Sequence, residues 1–168
     1  MATHLPFVVE DEGGQITLLA HMARANPQWR EFADGSEALV IFMQPHAYVS
    51  PRHYDSRQNV PTWNYVAVHA YGRAVLIEER AAKIELLQKL IRQHDAAYLA
   101  QMDELPKSYL DARLAAIVSF SLVVTRIEAR YKLSQDKNAA ERERIAREFE
   151  AGGDGAARDI ARLMRELK

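Results

Sequence analysis

The chain has 168 residues, a net charge of -1 and a sequence pI of about 6.6, with 48% hydrophobic and 27% charged residues. That length carries one domain with a substantial core, and the composition excludes the disordered and fibrous classes. The near-zero charge gives no overall positive field to draw in nucleic acid or an anionic membrane, and no apolar run reaches membrane-spanning length.

The first residues, Met1 to Pro6, lack the charged-then-apolar plan of a secretory leader, and the chain has no cysteine for disulfides or thiolate zinc sites. Both features fit a cytoplasmic protein. Thr3 to Val9 reads as extended and Asp11-Glu12-Gly13-Gly14 as a turn into Gln15-Ile16-Thr17-Leu18-Leu19, together a hairpin. A short helical stretch is expected from His21 to Ala25. Pro27 suits the first turn of a second short helix through Phe32, ended by Asp34-Gly35. Leu39-Val40-Ile41-Phe42 is a continuous apolar run within Glu37 to Gln44, the pattern of a central strand covered on both faces.

Tyr48-Val49 reads as a further short strand and Pro51 to Pro61 as a polar surface loop. From Trp63 to Leu76 aromatic and β-branched residues recur at period two. Gly72 interrupts them and marks a bulge or a close backbone approach in a long bent strand. Glu78 to His94 carries one apolar stripe on a helix, Asp95 to Glu104 continues it weakly, and Pro106 opens a helix to about Arg113. Ile117 to Ile127 alternates as the last strand, with Phe120, Leu122 and Val124 on one face and Ser119, Ser121 and Val123 on the other. Helices follow at Ala139 to Glu150 and Ala156 to Leu167, separated by Gly152-Gly153-Asp154-Gly155. Strands, helices, a strand and helices in that order make an α+β protein, with a small antiparallel barrel and helices packed outside.

Chemistry concentrates between Pro45 and Gly72, which hold His46, His53 and His69, four of seven Tyr and one of two Trp. The three His match no standard metal spacing and have few carboxylates nearby, so no metal site is assigned. There is no Gly-rich phosphate loop, no His-Glu-x-x-His and no Gly-x-Ser-x-Gly. The run His21-Met22-Ala23-Arg24-Ala25-Asn26-Pro27 could hold an anion on free amides and an Arg, or be a plain exposed helix start. Trp63-Asn64-Tyr65 offers planar stacking with amide hydrogen bonding, as for a flavin or nucleobase, or an interface aromatic. Tyr131-Lys132-Leu133-Ser134-Gln135 offers a cation and hydrogen-bonding groups, or a turn into the next helix.

Together His21-Met22-Ala23-Arg24-Ala25-Asn26-Pro27-Gln28-Trp29, Pro45-His46-Ala47-Tyr48-Val49-Ser50-Pro51, Pro61-Thr62-Trp63-Asn64-Tyr65-Val66-Ala67-Val68-His69 and Lys132-Leu133-Ser134-Gln135 closely resemble the PaiB family. These are FMN-binding negative transcriptional regulators of bacteria. The resemblance runs from about Thr3 to the tail helix. It implies the split β-barrel of pyridoxamine-phosphate-oxidase-like flavoproteins, a homodimer with FMN between subunits, and repression by an unspecified route. The alternatives from other classes are a flavin-dependent oxidoreductase or flavin reductase, and a flavin-less dimeric barrel.

By resemblance the cofactor-binding residues are His21, Arg24, Asn26, Trp63, Asn64, Tyr65, Lys132, Ser134 and Gln135, with no catalytic residue and no metal ligand. Family members usually carry a helix and a first strand ahead of the Thr3 equivalent, so the expected layout is a barrel domain over 1–138 lacking those elements and a helical extension over 139–168. The chain also departs from the family's pattern at Gln44, Arg52 and His53. Arg142, Arg144, Arg147, Arg158, Arg162 and Arg165 could touch DNA, but the interspersed Glu reads as a solvated face.

Overall fold

A computed structural model describes residues 2–32 and 35–167. Strand β1 (Val8–Glu12) turns through Gly13 and Gly14, both at positive φ, into β2 (Gln15–Ala23). The hairpin runs in register from Val8 opposite Leu19 to Glu12 opposite Gln15. A 3-10 turn, Pro27–Phe32, leads on to β3 (Glu37–Val49), and a second, Pro51–His53, to β4 (Thr62–Ile77). Helices α1 (Arg80–His94), α2 (Tyr98–Asp103) and α3 (Lys107–Ala115) precede β5 (Ile117–Lys132), and α4 (Ala139–Ala151) and α5 (Gly155–Glu166) follow it. The strands form one open antiparallel sheet in the order β1-β2-β5-β4-β3, so the fold is α+β as expected.

Local expectations change in β2 and β3. His21–Ala23 is not helical: these residues pair with Ser119, Val118 and Ile117 of β5, and cross-strand hydrogen bonding outweighs the modest helical preference of a short segment. The run Leu39 to Phe42 belongs to an edge strand rather than a central one, and β3 continues unbroken through Tyr48-Val49. Its apolar residues Leu39, Ile41, Phe42 and Met43 are exposed. Burial by sheet neighbours on both faces is therefore not what the continuous run records. Gly72 sits inside continuous strand β4, and the reason for glycine is close approach: an added Cβ would meet the Val123 carbonyl and lie 2.6 Å from Leu122 Cδ2. The Asp34 stop signal lies outside the described residues.

The chain divides into two compact units. The first comprises Met1–Leu39 and Ala70–Arg126. One of its cores holds Ala20, Met22, Ala74, Val118 and Phe120, with Phe7, Trp29 and Phe32 packed against it. The other places Leu86 and Leu90 of α1 against Val8 and Leu19. Because side chains alternate along a strand, Ala20 and Met22 serve the first core while Leu19 and His21 share the opposite face.

The second unit comprises Val40–His69 and Ile127–Lys168. Its core joins Val49, Val66 and Leu133 to Ile145 and Phe149 of α4 and Ile160, Ala161 and Met164 of α5. Each large apolar side chain buried there contributes on the order of 1.5–3 kcal/mol. Helix α4 starts on a capping box: Asn138 Oδ1 accepts from the Glu141 amide at 2.9 Å and Glu141 Oε2 accepts from the Asn138 amide at 3.2 Å. Glu141 Oε1 also accepts from the Asp55 amide at 2.9 Å, which ties the loop after β3 to the helix start. Among the described residues no helix is long and apolar enough to cross a membrane.

Candidate functional site

The expected ligand residues fall in both units, and each group has its own geometry. In the first unit β2 ends at Ala23, and Arg24 crosses to the C-terminus of α3. Its Nε donates to the Ala115 carbonyl at 2.7 Å and its Nη2 to the Ile117 carbonyl at 3.0 Å. A cation there satisfies orphan carbonyls and complements the helix dipole. The backbone is fixed as well: the Arg24 amide donates to the Ala116 carbonyl at 2.8 Å, and Trp29 Nε1 donates to the Arg24 carbonyl at 3.0 Å. The guanidinium carbons of Arg24 and Arg30 lie 5.9 Å and 5.3 Å from the centroid of the Trp29 ring. Arg24 is thus an exposed, positioned charge.

Two of the amides beside it are already engaged. The Asn26 amide donates to the Ala23 carbonyl at 2.9 Å, and the Gln28 amide donates to Asn26 Oδ1 at 3.0 Å. Asn26 Nδ2 donates to Thr3 Oγ1 at 2.8 Å. Asn26 is therefore engaged as the cap of the 3-10 turn. Arg24 and Arg30 are the cations beside the Trp29 ring.

Three residues before Arg24, within β2, His21 stands opposite Ser119 of β5. His21 Nδ1 and Ser119 Oγ are both buried, and they are the two buried side-chain polar atoms without a hydrogen-bond partner among the described residues. Burial holds the imidazole below its ordinary pKa of 6.5, so it is uncharged at neutral pH. Ser119 is the residue that sequence reasoning missed. Its alternation on β5 was legible, but strand register, which brings it to His21, cannot be read from one strand's pattern.

In the second unit Trp63 is 52% exposed and joins two residues of β3. Its ring centroid lies 5.9 Å from that of Tyr48 and 5.7 Å from that of His46. Tyr65 follows on the same face of β4 and is partly exposed. Asn64 points the other way. It is fully buried, with Oδ1 accepting from Ser134 Oγ at 3.1 Å and Nδ2 donating to Met164 Sδ at 3.5 Å.

Asn64 and Ser134, expected at the cofactor, are thus enclosed by their own unit and bind β4, the turn after β5 and α5 to one another. Gln135 completes that turn, accepting from the Leu133 amide at 2.8 Å and donating to the Tyr131 carbonyl at 2.5 Å, while Ser134 takes φ 61°. Lys132 Nζ donates to Thr62 Oγ1. The motif Lys132-Leu133-Ser134-Gln135 is a strand-exit lock built on the fully buried Leu133.

An antiparallel sheet of this order with helices packed on it defines an α+β protein of the split-barrel type. A family model described as "Putative FMN-binding domain" matches residues 1–126. "Protease synthase and sporulation protein PAI 2" of Bacillus subtilis (strain 168) is 38% identical over 169 residues, covering 99% of this chain and 80% of that protein. The chain belongs to this FMN-binding, PaiB-type family.

Among solved structures, the FAD and heme binding protein from Mycobacterium smegmatis superposes with a TM-score of 0.52 at 17% identity, over 83% of this chain and 70% of that one. The flavocytochrome Anf3 from Azotobacter vinelandii gives 0.51 at 17% identity, over 75% of this chain and 54% of that one. These two likenesses are of fold.

FMN is the cofactor that family membership assigns. The residues present fit parts of it. In the first unit Arg24 suits a phosphate, and the orphaned His21 and Ser119 atoms suit a polar ligand group.

Proposed function

We propose that this protein is a cytoplasmic, homodimeric FMN-binding regulator that represses transcription indirectly, through its flavin and not by gripping DNA itself. The observation that carries the flavin part is the unsatisfied pair beside Arg24 at the end of β2. Buried polar atoms in a native fold have partners, and here the described residues supply none. Arg24 meets the phosphate. FMN, when bound, supplies reversible electron transfer at its ring, and this chain's residues bind and orient it.

The regulatory part is supported by the name of the Bacillus subtilis relative and by the family resemblance of the motifs. Direct DNA contact is disfavoured by charge. Arg147 pairs with Glu143, Arg165 with Glu143 and Glu150, and Arg144 with Asp55, so much of the tail's positive charge is already matched. Trp63 and Tyr48 present an exposed aromatic face that stacks on a flavin ring or on a second copy of the chain.

Arg24→Ala tests the assignment. FMN affinity should fall by roughly 10-fold or more while riboflavin affinity changes little, because the lost partner is the phosphate; equal losses would sink it. Trp63→Ala should lower either flavin affinity or the dimer fraction in analytical ultracentrifugation, and no change in both would retire the stacking role. NAD(P)H oxidation by the FMN-loaded protein would favour an oxidoreductase instead. A salt-sensitive shift of promoter DNA would contradict the indirect route.

A further inference from the structure

We propose that His21 and Ser119 form a two-point hydrogen-bonding receptor for an uncharged donor-and-acceptor group of the bound flavin, with Ser119 an additional ligand-binding residue. The proposal rests on the flavin reading and deepens it. The two residues are register partners across β2 and β5, so their side chains leave the sheet on one face at adjacent positions. Both Nδ1 of His21 and Oγ of Ser119 lie buried with no hydrogen-bond partner among the described residues. Ser119 is fully enclosed at 0% exposure, whereas the rest of the His21 side chain is partly exposed. A desolvated buried hydroxyl or imidazole left unmatched costs free energy, which binding of the right group recovers.

The chemistry selects the group. A serine hydroxyl both donates and accepts, and a neutral imidazole presents one donor and one acceptor nitrogen. Burial disfavours imidazolium, so the pair carries no charge for a phosphate. Arg24, three residues on, is a cation of this region. What complements the pair is a group that gives and takes a hydrogen bond at once. A flavin has two, its ribityl hydroxyls and its ring imide edge.

The experiment compares FMN, riboflavin and lumiflavin, which lacks the ribityl chain, on the full chain and on Ser119→Ala by fluorescence titration. Thermal melting of the flavin-free forms is measured alongside. We expect Ser119→Ala to weaken FMN and riboflavin by the same factor, roughly 5- to 10-fold, with no drop in the melting temperature of the flavin-free protein. An equal loss for lumiflavin assigns the imide edge, and an unchanged lumiflavin affinity assigns a ribityl hydroxyl. In the unmutated protein the His21 ring-nitrogen resonances should move when riboflavin is added, a readout that needs no variant.

Unchanged affinities with static His21 resonances would overturn the receptor while leaving flavin binding intact. A loss confined to FMN would also overturn it, by placing the pair on the phosphate. Failure of the unmutated chain to bind any of the three flavins would overturn the flavin reading and the receptor with it.

Discussion

Asn64 illustrates how a polar residue in an aromatic motif can serve the fold instead of a ligand. Its amide is enclosed among Ser134 and Met164, and Ser134 holds a left-handed backbone conformation while donating to it. Asn64→Ala should therefore destabilise the chain by about 2–3 kcal/mol, because it opens a cavity and strands a buried hydroxyl. Urea unfolding checks this, and a loss under about 0.5 kcal/mol would contradict the account.

Protonation acts at the same scale. His21 is held below its ordinary pKa by burial, and His53 by burial and then by the Arg52 and Arg144 charges, with Glu148 opposing. Both are depressed in the folded state, so the unfolded chain takes up these protons first. Stability is complete above the ordinary value of 6.5 and falls as pH drops from there through the lowered folded values. Unfolding midpoints at about pH 7.5 and about pH 5.5 should differ, and His53→Gln should shrink the difference. A midpoint that rises on acidification would contradict the direction. The Asp55 carboxyl, kept low by the Asn138 amide and then Arg144, acts in a separate, more acidic window.

At the level of elements, β4 passes close along β5 at Gly72. Gly72→Ala would drive a methyl against the Val123 carbonyl and Leu122, a side chain only 1% exposed. We expect a loss of about 1–3 kcal/mol in urea unfolding. Retained stability would mean that the strands part easily at this point. The glycine was legible in the sequence as an interruption of period-two alternation. Its cause was not, since close approach involves a partner strand remote along the chain.

The same holds for β3. The run Leu39 to Phe42 has the composition of a buried strand, yet it lies at the sheet's edge with those side chains exposed. Apolar content reports that a face needs cover, and a second copy of the chain can supply it as well as a sheet neighbour. Helical segments were easier, because i, i+4 stripes and caps such as Asn138 with Glu141 are local signals. His21 went the other way: its helical reading yielded to pairing with Ser119, a contact 98 residues away that no local pattern contains.

For the whole molecule, motif order along the chain carried the family and the fold class, and the family match and sheet order agree with both. The candidate site was only half legible. Trp63 is presented outward as its type suggested and Arg24 is exposed but bonded to the Ala115 and Ile117 carbonyls, while Asn26, Asn64, Ser134 and Gln135 are tied into caps and turns. A residue type states what a side chain can bond to, and packing decides whether a ligand or the backbone gets that bond.

The central claim is that this chain holds FMN. Equilibrium dialysis of the purified full chain against FMN, followed by flavin absorbance near about 450 nm, measures it directly. The account predicts saturable binding approaching one FMN per chain, whereas a protein that retains no flavin at any FMN concentration would contradict it.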